Sequence, residues 1–214
     1  MRRGASLVQL LWWGLPPTLS RIARLKTILS DASPQIVADP SRKLAAVALI
    51  FVPDPDSILV IKRAERAGDR WSGQMAFPGG RWDPADDDLV TTARRETWEE
   101  VGVDLASAEF LGRLDDSAPR SASLPPVTVA PFVFALPRRR PLVPNGEVAA
   151  AYWVSLDQLV APDVYRPYQY RASGLTMTFP GYHLDAGVIW GMTERILTPL
   201  LSQIGLSPSG SPDD

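Results

Sequence analysis

The sequence predicts a mixed α/β (α+β) fold, a mixed β-sheet lying between helices on both faces. Three observations carry that expectation. Segments with strand patterns outnumber those with helical periodicity. Helical patterns nonetheless bracket the strands, near residues 18–30 and 185–204. A third helix between them is announced by its own start and stop signals. The chain has 214 residues, 45% hydrophobic and 21% charged, enough for one well-filled domain with appendages and hardly enough for two. It contains no internal repeat.

Taken in order, Met1-Arg2-Arg3 precedes an apolar run from Ala5 to Leu15 that includes Trp12-Trp13. No small-x-small cleavage site follows before Pro16-Pro17, and the run is too short to span a bilayer. Thr18, Leu19, Ile22, Leu25, Ile28 and Leu29, set against Arg21, Arg24 and Lys26, describe an amphipathic helix. It is expected to pack on the domain or on a partner, with membrane-surface contact as the alternative. Leu44 to Val52 is a continuous apolar run and reads as a buried strand. The turn Pro53-Asp54-Pro55-Asp56 leads to a second strand at Ile58 to Lys62, so the two form a hairpin. Gln74 to Phe77 is a strand that enters a Gly79-Gly80 loop. Phe110 to Leu114 and Ala150 to Val154 are further strands. Val127 to Leu136 is a strong strand whose Pro131 implies an edge position or a bulge. Asp185 to Ile204 reads as a closing helix, with Val188, Ile189, Met192, Ile196, Leu197 and Leu200 at helical spacing. Ser207 to Asp214 has the composition of a disordered tail.

The central helix, roughly Asp87 to Val101, carries the chemistry. Pro84 to Asp88 is an acidic, turn-rich lead-in suited to capping its start, and Gly102 stands where a left-handed stop is expected. Glu96, Glu99 and Glu100 fall at i, i+3 and i+4, which places three carboxylates within one arc of the helix, while Val90, Ala93, Thr97 and Val101 form a packing stripe on the next. Like charges stacked in this way repel unless something compensates them. A hard divalent cation such as Mg²⁺ or Mn²⁺ would, because it prefers carboxylate and carbonyl oxygens. The competing reading is a solvated glutamate run, and the ordered strand, loop, helix and stop around these residues weigh against it.

Composition narrows the classes further. A formal net charge of −2 argues against a nucleic-acid binder driven by electrostatics. The absence of cysteine excludes disulfides and thiolate metal sites and fits a cytoplasmic, reducing compartment. With His183 alone in the chain, histidine-based zinc sites and histidine-centred triads are disfavoured.

The run Arg95-Glu96-Thr97-Trp98-Glu99-Glu100-Val101-Gly102-Val103, preceded by Gly80, resembles the signature of the Nudix hydrolases. Thr97 stands where an aliphatic residue is usual. The loop from Gly80 to Arg95 is one residue longer than the general signature, and Asp87 stands for its loop glutamate. A longer loop behind Phe77-Pro78-Gly79-Gly80 is similar to the branch of coenzyme A pyrophosphatases. Lys62-Arg63-Ala64, Arg70 and Gly73 to Gly80 are similar to a motif upstream of the box in that branch, with one extra residue between Arg63 and Gly73. Ile189 to Thr193 is similar to a segment of the same branch.

The resemblance covers about residues 44–204 and implies a Nudix-type α/β/α sandwich. It divides the chain into an N-terminal helical extension (1–40), a hydrolase domain (41–204) and a disordered tail (205–214). It also implies Mg²⁺ or Mn²⁺ held by Glu96, Glu99, Glu100 and a backbone carbonyl of the Gly79-Gly80 pair, taken at Gly80. Arg95 is implied as an orienting partner for an acid such as Asp87, since a guanidinium does not deprotonate at working pH; a plain surface ion pair is the alternative. Glu147 is either a base or extra ligand from outside the box, or a solvated loop glutamate. Arg63, Arg70, Gly79 and Phe77 are implied to meet substrate. Tyr165, Tyr168, Tyr170 and Tyr182 pack, or one of them stacks on a base. The expected partner is a small nucleotide pyrophosphate, foremost coenzyme A or an acyl derivative cleaved to 4′-phosphopantetheine and adenosine 3′,5′-bisphosphate. ADP-ribose, a dinucleotide or a nucleoside triphosphate are the alternatives. A catalytically silent nucleotide sensor is the rival from another class. No nucleic-acid or membrane partner is expected, and a homodimer is compatible with the sequence.

Overall fold

The computed structural model describes residues 20–120, 124–172 and 174–208. The expected hairpin is formed by β1 (Lys43–Val52) and β2 (Ser57–Arg63), but the two strands pair only at the closed end, at Phe51↔Ile58 and Val52↔Ser57. Beyond that point they diverge, and residues 75–81 fill the opening. There β3 (Met75–Ala76) pairs with β2, and β4 (Gly79–Arg81) pairs with β1. Gly79 and Gly80 therefore lie on a strand inside the sheet, not in the loop expected from the sequence. On the outer flanks, β6 (Val127–Ala135) runs parallel to β1, β5 (Glu109–Arg113) lies antiparallel to β6, and β7 (Val148–Ser155) lies antiparallel to β2.

Pro131 does not mark an edge, because β6 is held between β1 and β5. Its carbonyl accepts from the Leu114 amide at 3.0 Å, just beyond the last residue of β5, and the ladder resumes at the Ser117–Val129 bridge. The donor that proline lacks thus falls where the partner strand has ended, and the irregularity in register lies in β5, between Phe110 and Gly112.

Alternation along the strands sends side chains to two cores. One face carries Ala46, Ala48, Ile50, Leu59, Ile61, Ala130, Phe132 and Phe134, covered by α2 (Leu89–Val101) through Ala93 and Val101. The other carries Leu49, Phe51, Ile58, Val60 and Val133. It is covered by α1 (Arg21–Ser30) through Leu25 and Leu29, by the single turn α3 (Leu156–Leu159), and by α4 (Gly191–Gln203) through Leu197, Leu200 and Leu201. The result is the α/β/α layering expected from the sequence. Burial of the large aliphatic side chains at roughly 1.5–3 kcal/mol each makes these two interfaces the main source of stability. Thr18, Leu19 and the apolar run at 5–15 lie outside the described residues, as do residues 209–214 of the expected tail.

The expected closing helix at 185–204 is two elements. Residues 187–190 form β10 (Gly187–Trp190), the last strand of a small antiparallel sheet with β8 (Tyr165–Ala172) and β9 (Leu175–Leu184). Gly187, at φ +146°, follows the turn after β9, and Gly191, at φ +68°, separates strand from helix. Val188 and Ile189 therefore owe their apolar character to a strand, and helical spacing there was coincidental. Tyr165 and Tyr182 are buried with ring centroids 4.8 Å apart. Tyr168 and Tyr170 pack around Trp190, at 5.2 and 4.6 Å. Packing is the role the structure gives these tyrosines.

Gly79 is where the wedge is tightest. It sits at φ +154°, and a β-carbon there would lie 2.2 Å from the Ala46 carbonyl oxygen and 2.7 Å from the Val47 Cα, backbone atoms that cannot rotate away. Gly79→Ala is expected to lose more than about 3 kcal/mol in urea unfolding. Gly146→Ala, whose β-carbon meets open space, is expected to stay within about 0.5 kcal/mol of the parent. Equal midpoints for the two variants would contradict the wedge.

Candidate active site

Helix α2 starts at Asp88, whose Oδ1 accepts from the Thr91 amide at 2.7 Å, and stops at Gly102, φ +68°, whose amide donates to the Trp98 carbonyl at 2.9 Å. Thr92, Ala93, Thr97 and Val101 form its buried stripe, with Val90 half-buried at the margin. Thr97 is tolerated at an apolar position because its hydroxyl donates to the Ala93 carbonyl at 2.7 Å and leaves its methyl for the core.

The three glutamates share an arc but not an environment. Glu100 is 3% exposed, and its Oε2 accepts from the Gly79 amide at 2.9 Å, so the helix is bonded to the inserted strand. Glu96 lies over Gly80 so closely that a β-carbon there would stand 2.3 Å from its carboxyl carbon. Glu99 is half exposed. Among the described residues no three acidic or histidine side chains converge on one point. Arg95 intervenes, its Nη1 donating to Glu96 Oε1 at 2.9 Å and to Glu99 Oε2 at 3.1 Å.

The acid that holds Arg95 is Asp86, not Asp87. Arg95 Nε and Nη2 both donate to the Asp86 carboxylate at 2.9 Å, a two-pronged bond, and Thr92 Oγ1 donates to it at 2.8 Å. Asp87 is exposed. The hydrogen bonds from Arg95, with help from Thr92, hold the buried Asp86 carboxyl down to about 2, and Asp86 in turn raises the guanidinium above its usual value. Arg95 is thus more than a surface ion pair: it joins the loop before α2 to two of the box glutamates.

Burial pushes Glu100 up to about 7. The Gly79 amide and the Arg63 charge oppose the rise, and the charges of Glu96 and Glu147 add to it. Burial raises Glu96 as well, against Arg95 and with Glu99 and Glu147. Glu147, in the turn before β7, is therefore electrostatically part of this group although it lies far from α2 in sequence. It pairs with Arg66, Nη1 to Oε1 at 2.9 Å.

Of the cations expected to meet substrate, Arg63 is pinned by Asp69 at 2.8 Å within influence of Glu100. Arg70 lies exposed on the loop between β2 and β3, its carbonyl accepting from Gln74 Nε2 at 3.3 Å. Phe77 is 3% exposed in the core on the sheet face opposite α2. An open contact between its ring and a substrate is overturned, because its place in the sequence beside the glycines reflects packing. Asp86, Arg66 and Asp69 were not singled out from sequence. Asp86 is one of three consecutive aspartates, and only the position of the helix cap selects it.

The donor set, carboxylates and strand carbonyls without sulfur or imidazole, suits a hard divalent cation. So does the burial of Glu96 and Glu100, the first cause that holds both carboxyls above their usual value.

Burial raises the Glu100 carboxyl from 4.5 to about 7, so between those values the folded protein keeps a proton that the unfolded chain has lost. The resulting loss of stability is absent below 4.5, accumulates as pH rises from 4.5 to 7 and is constant above. With chelator present, Glu100→Gln is therefore expected to be more stable than the parent at pH 8, by up to about 3 kcal/mol. Near pH 4.5 the two should be equal. Thermal unfolding at both values checks this, and a difference independent of pH would contradict the burial argument.

Residues 42–187 match the NUDIX domain family. An uncharacterised protein of Schizosaccharomyces pombe is 34% identical over 75% of this chain and 57% of its own length, so the chain spans a little more than half of that relative. The uncharacterised Nudix hydrolase NudL of Yersinia pestis is 30% identical over 77% of this chain and 80% of its own. Among solved structures, a MutT/nudix family protein from Enterococcus faecalis superposes with a TM-score of 0.54, at 16% identity, over 94% of this chain and 70% of its own. A bifunctional NMN adenylyltransferase/ADP ribose pyrophosphatase from Francisella tularensis, complexed with AMP and a manganese ion, gives 0.52, at 16% identity, over 86% and 46%. At those identities the structures share the fold.

Proposed function

The chain belongs to the Nudix family and is a Nudix pyrophosphohydrolase, and from that premise we propose that it cleaves coenzyme A or an acyl derivative to 4′-phosphopantetheine and adenosine 3′,5′-bisphosphate. The observation that supports a cation-dependent hydrolysis most directly is the buried Glu100, bonded to Gly79 and facing the charges of Glu96 and Glu147. The substrate choice rests on the likeness of Lys62 to Gly80 and of Ile189 to Thr193 to the coenzyme A pyrophosphatase branch.

In this reading Glu96, Glu99, Glu100 and the Gly80 carbonyl hold Mg²⁺ or Mn²⁺, which when bound neutralises the diphosphate and acidifies a water. The chain's own residues do the rest. Arg95, fixed by Asp86, sets the positions of Glu96 and Glu99. Arg63 and Arg70 meet the phosphates, orienting the anhydride for in-line attack. Glu147, reaching in from outside the box, accepts the proton of the attacking water. One water is consumed, one phosphoanhydride bond is broken, and the two phosphomonoesters leave. We place the catalytic unit at 41–204, in the cytoplasm, with residues 1–40 as an extension whose helix α1 packs on the core through Leu25 and Leu29, and 205–214 as a tail that starts from the buried Leu206. Among the described residues no helix is long and apolar enough to cross a membrane.

The test is product release from coenzyme A, ADP-ribose, NADH and a nucleoside triphosphate with Mg²⁺ and with Mn²⁺, alongside Glu100→Gln. Selective cleavage of coenzyme A, reduced by roughly 10²-fold or more in the variant, is expected. Preferred cleavage of another substrate would overturn the specificity and keep the carboxylate chemistry. Turnover unchanged in Glu100→Gln would overturn the assignment of the site.

A further inference from the structure

Glu147 comes from a turn that the sequence gives no reason to hold still, yet the structure ties that turn down from two sides. The Asn145 amide donates to the Glu100 carbonyl at 3.0 Å, fastening the turn to the end of α2. The Ala64 amide donates to the Glu147 carbonyl at 2.8 Å, and Arg63 pairs with Val148, fastening it to the end of β2. Within the turn, the Glu147 amide donates to Asn145 Oδ1 at 2.8 Å. These bonds fix the backbone and leave the carboxylate free to rotate. Arg66 removes that freedom: its Nη1 donates to Glu147 Oε1 at 2.9 Å and its Nη2 to the Gly146 carbonyl at 3.3 Å.

The loop that presents Arg66 is itself braced. The Arg66 amide donates to Ser72 Oγ at 2.7 Å, and Asp69 bonds Arg63 Nη2 and the Trp71 amide, at 2.8 and 3.0 Å. Both members of the Arg66–Glu147 pair are about half exposed, where an ion pair adds little to stability, roughly 0–1 kcal/mol. What a fork held on a side chain and on the neighbouring carbonyl does supply is direction.

We propose that Arg66 is a positioning residue for Glu147, holding its carboxylate on the turn fastened to the end of α2 that bears Glu96 and Glu100, from a loop that lies outside the signature box. This rests on the hydrolase reading given above. It assigns part of the segment between β2 and β3 to aligning the catalytic groups, in addition to meeting substrate.

The test combines kinetics with amide exchange on the full chain. Arg66→Ala is expected to lower kcat by roughly 10- to 100-fold, as expected for a misplaced group, with KM changed less than about threefold and the unfolding temperature within about 2 °C of the parent. Arg66→Lys, which keeps the charge and loses the fork, should recover little of the rate. In a Glu147→Gln background the same Arg66→Ala change should cost less than about twofold more, because the two residues act as a unit. Without metal or substrate, the Ala64 and Asn145 amides should exchange about two- to fivefold faster in Arg66→Ala, because the Nη2 bond to the Gly146 carbonyl is lost, with the exchange of β1 and α2 unchanged. A raised KM with kcat intact would make Arg66 a phosphate contact and overturn positioning. Full rescue by lysine, independent losses in the double variant, or unaltered exchange would overturn it as well. If the parent hydrolysed no pyrophosphate, the hydrolase reading would fall, while the exchange result would still decide whether Arg66 orders the turn.

Discussion

The site depends on the insertion of residues 75–81 between two strands that would otherwise pair along their length. Because β1 and β2 stay together only at Phe51–Val52 and Ser57–Ile58, a strand bearing two side-chain-free residues enters the middle of the sheet under α2. Its cost is a backbone with unspent polar groups in a buried place, and burial of an unpaired amide is unfavourable by ~1–3 kcal/mol. Glu100 satisfies the Gly79 amide, so the bond that completes the fold also buries a carboxylate. Gly80, with no side chain, then admits Glu96 against the strand. Fold and site meet at these two glycines: a side chain at Gly79 would strike the β1 backbone, and one at Gly80 would displace the Glu96 carboxylate.

A buried carboxylate beside two others is a poor choice for stability alone. Three arginines moderate the charge from different directions: Arg95 from the helix, locked by Asp86; Arg63 from β2, locked by Asp69; and Arg66 from the loop, engaged with Glu147. Each is already committed to an acid, and Glu100 and Glu96 still resist ionisation. That resistance comes first from burial, which a bound divalent cation would offset.

Much of this could be read from residue order. The strand runs, the cap and stop of α2, its buried stripe and the shared arc of the glutamates all follow from local periodicity and turn chemistry, and the structure has each of them. What could not be read depends on pairing between distant segments. The Gly79-Gly80 pair looks like a loop because glycines usually mark one, and nothing local says that β1 and β2 diverge to admit it. Pro131 looks like an edge because the end of β5 that excuses its missing donor lies outside its own segment. Val188 and Ile189 fit helical spacing until Gly187 and Gly191 are placed at positive φ. Phe77 and Asp86 show the same limit at the site: adjacency to a motif marked one for substrate that the core claims, and three equal aspartates concealed the other.

In the proposed reading, Glu96 and Glu100 together make an oxygen site for a divalent cation. Titration of the full chain with Mn²⁺, followed by the loss of its free paramagnetic resonance signal, tests it without reference to any substrate. Saturable binding is expected, weakened by at least roughly tenfold in Glu96→Gln and again in Glu100→Gln. Both variants binding Mn²⁺ as the parent does would contradict it.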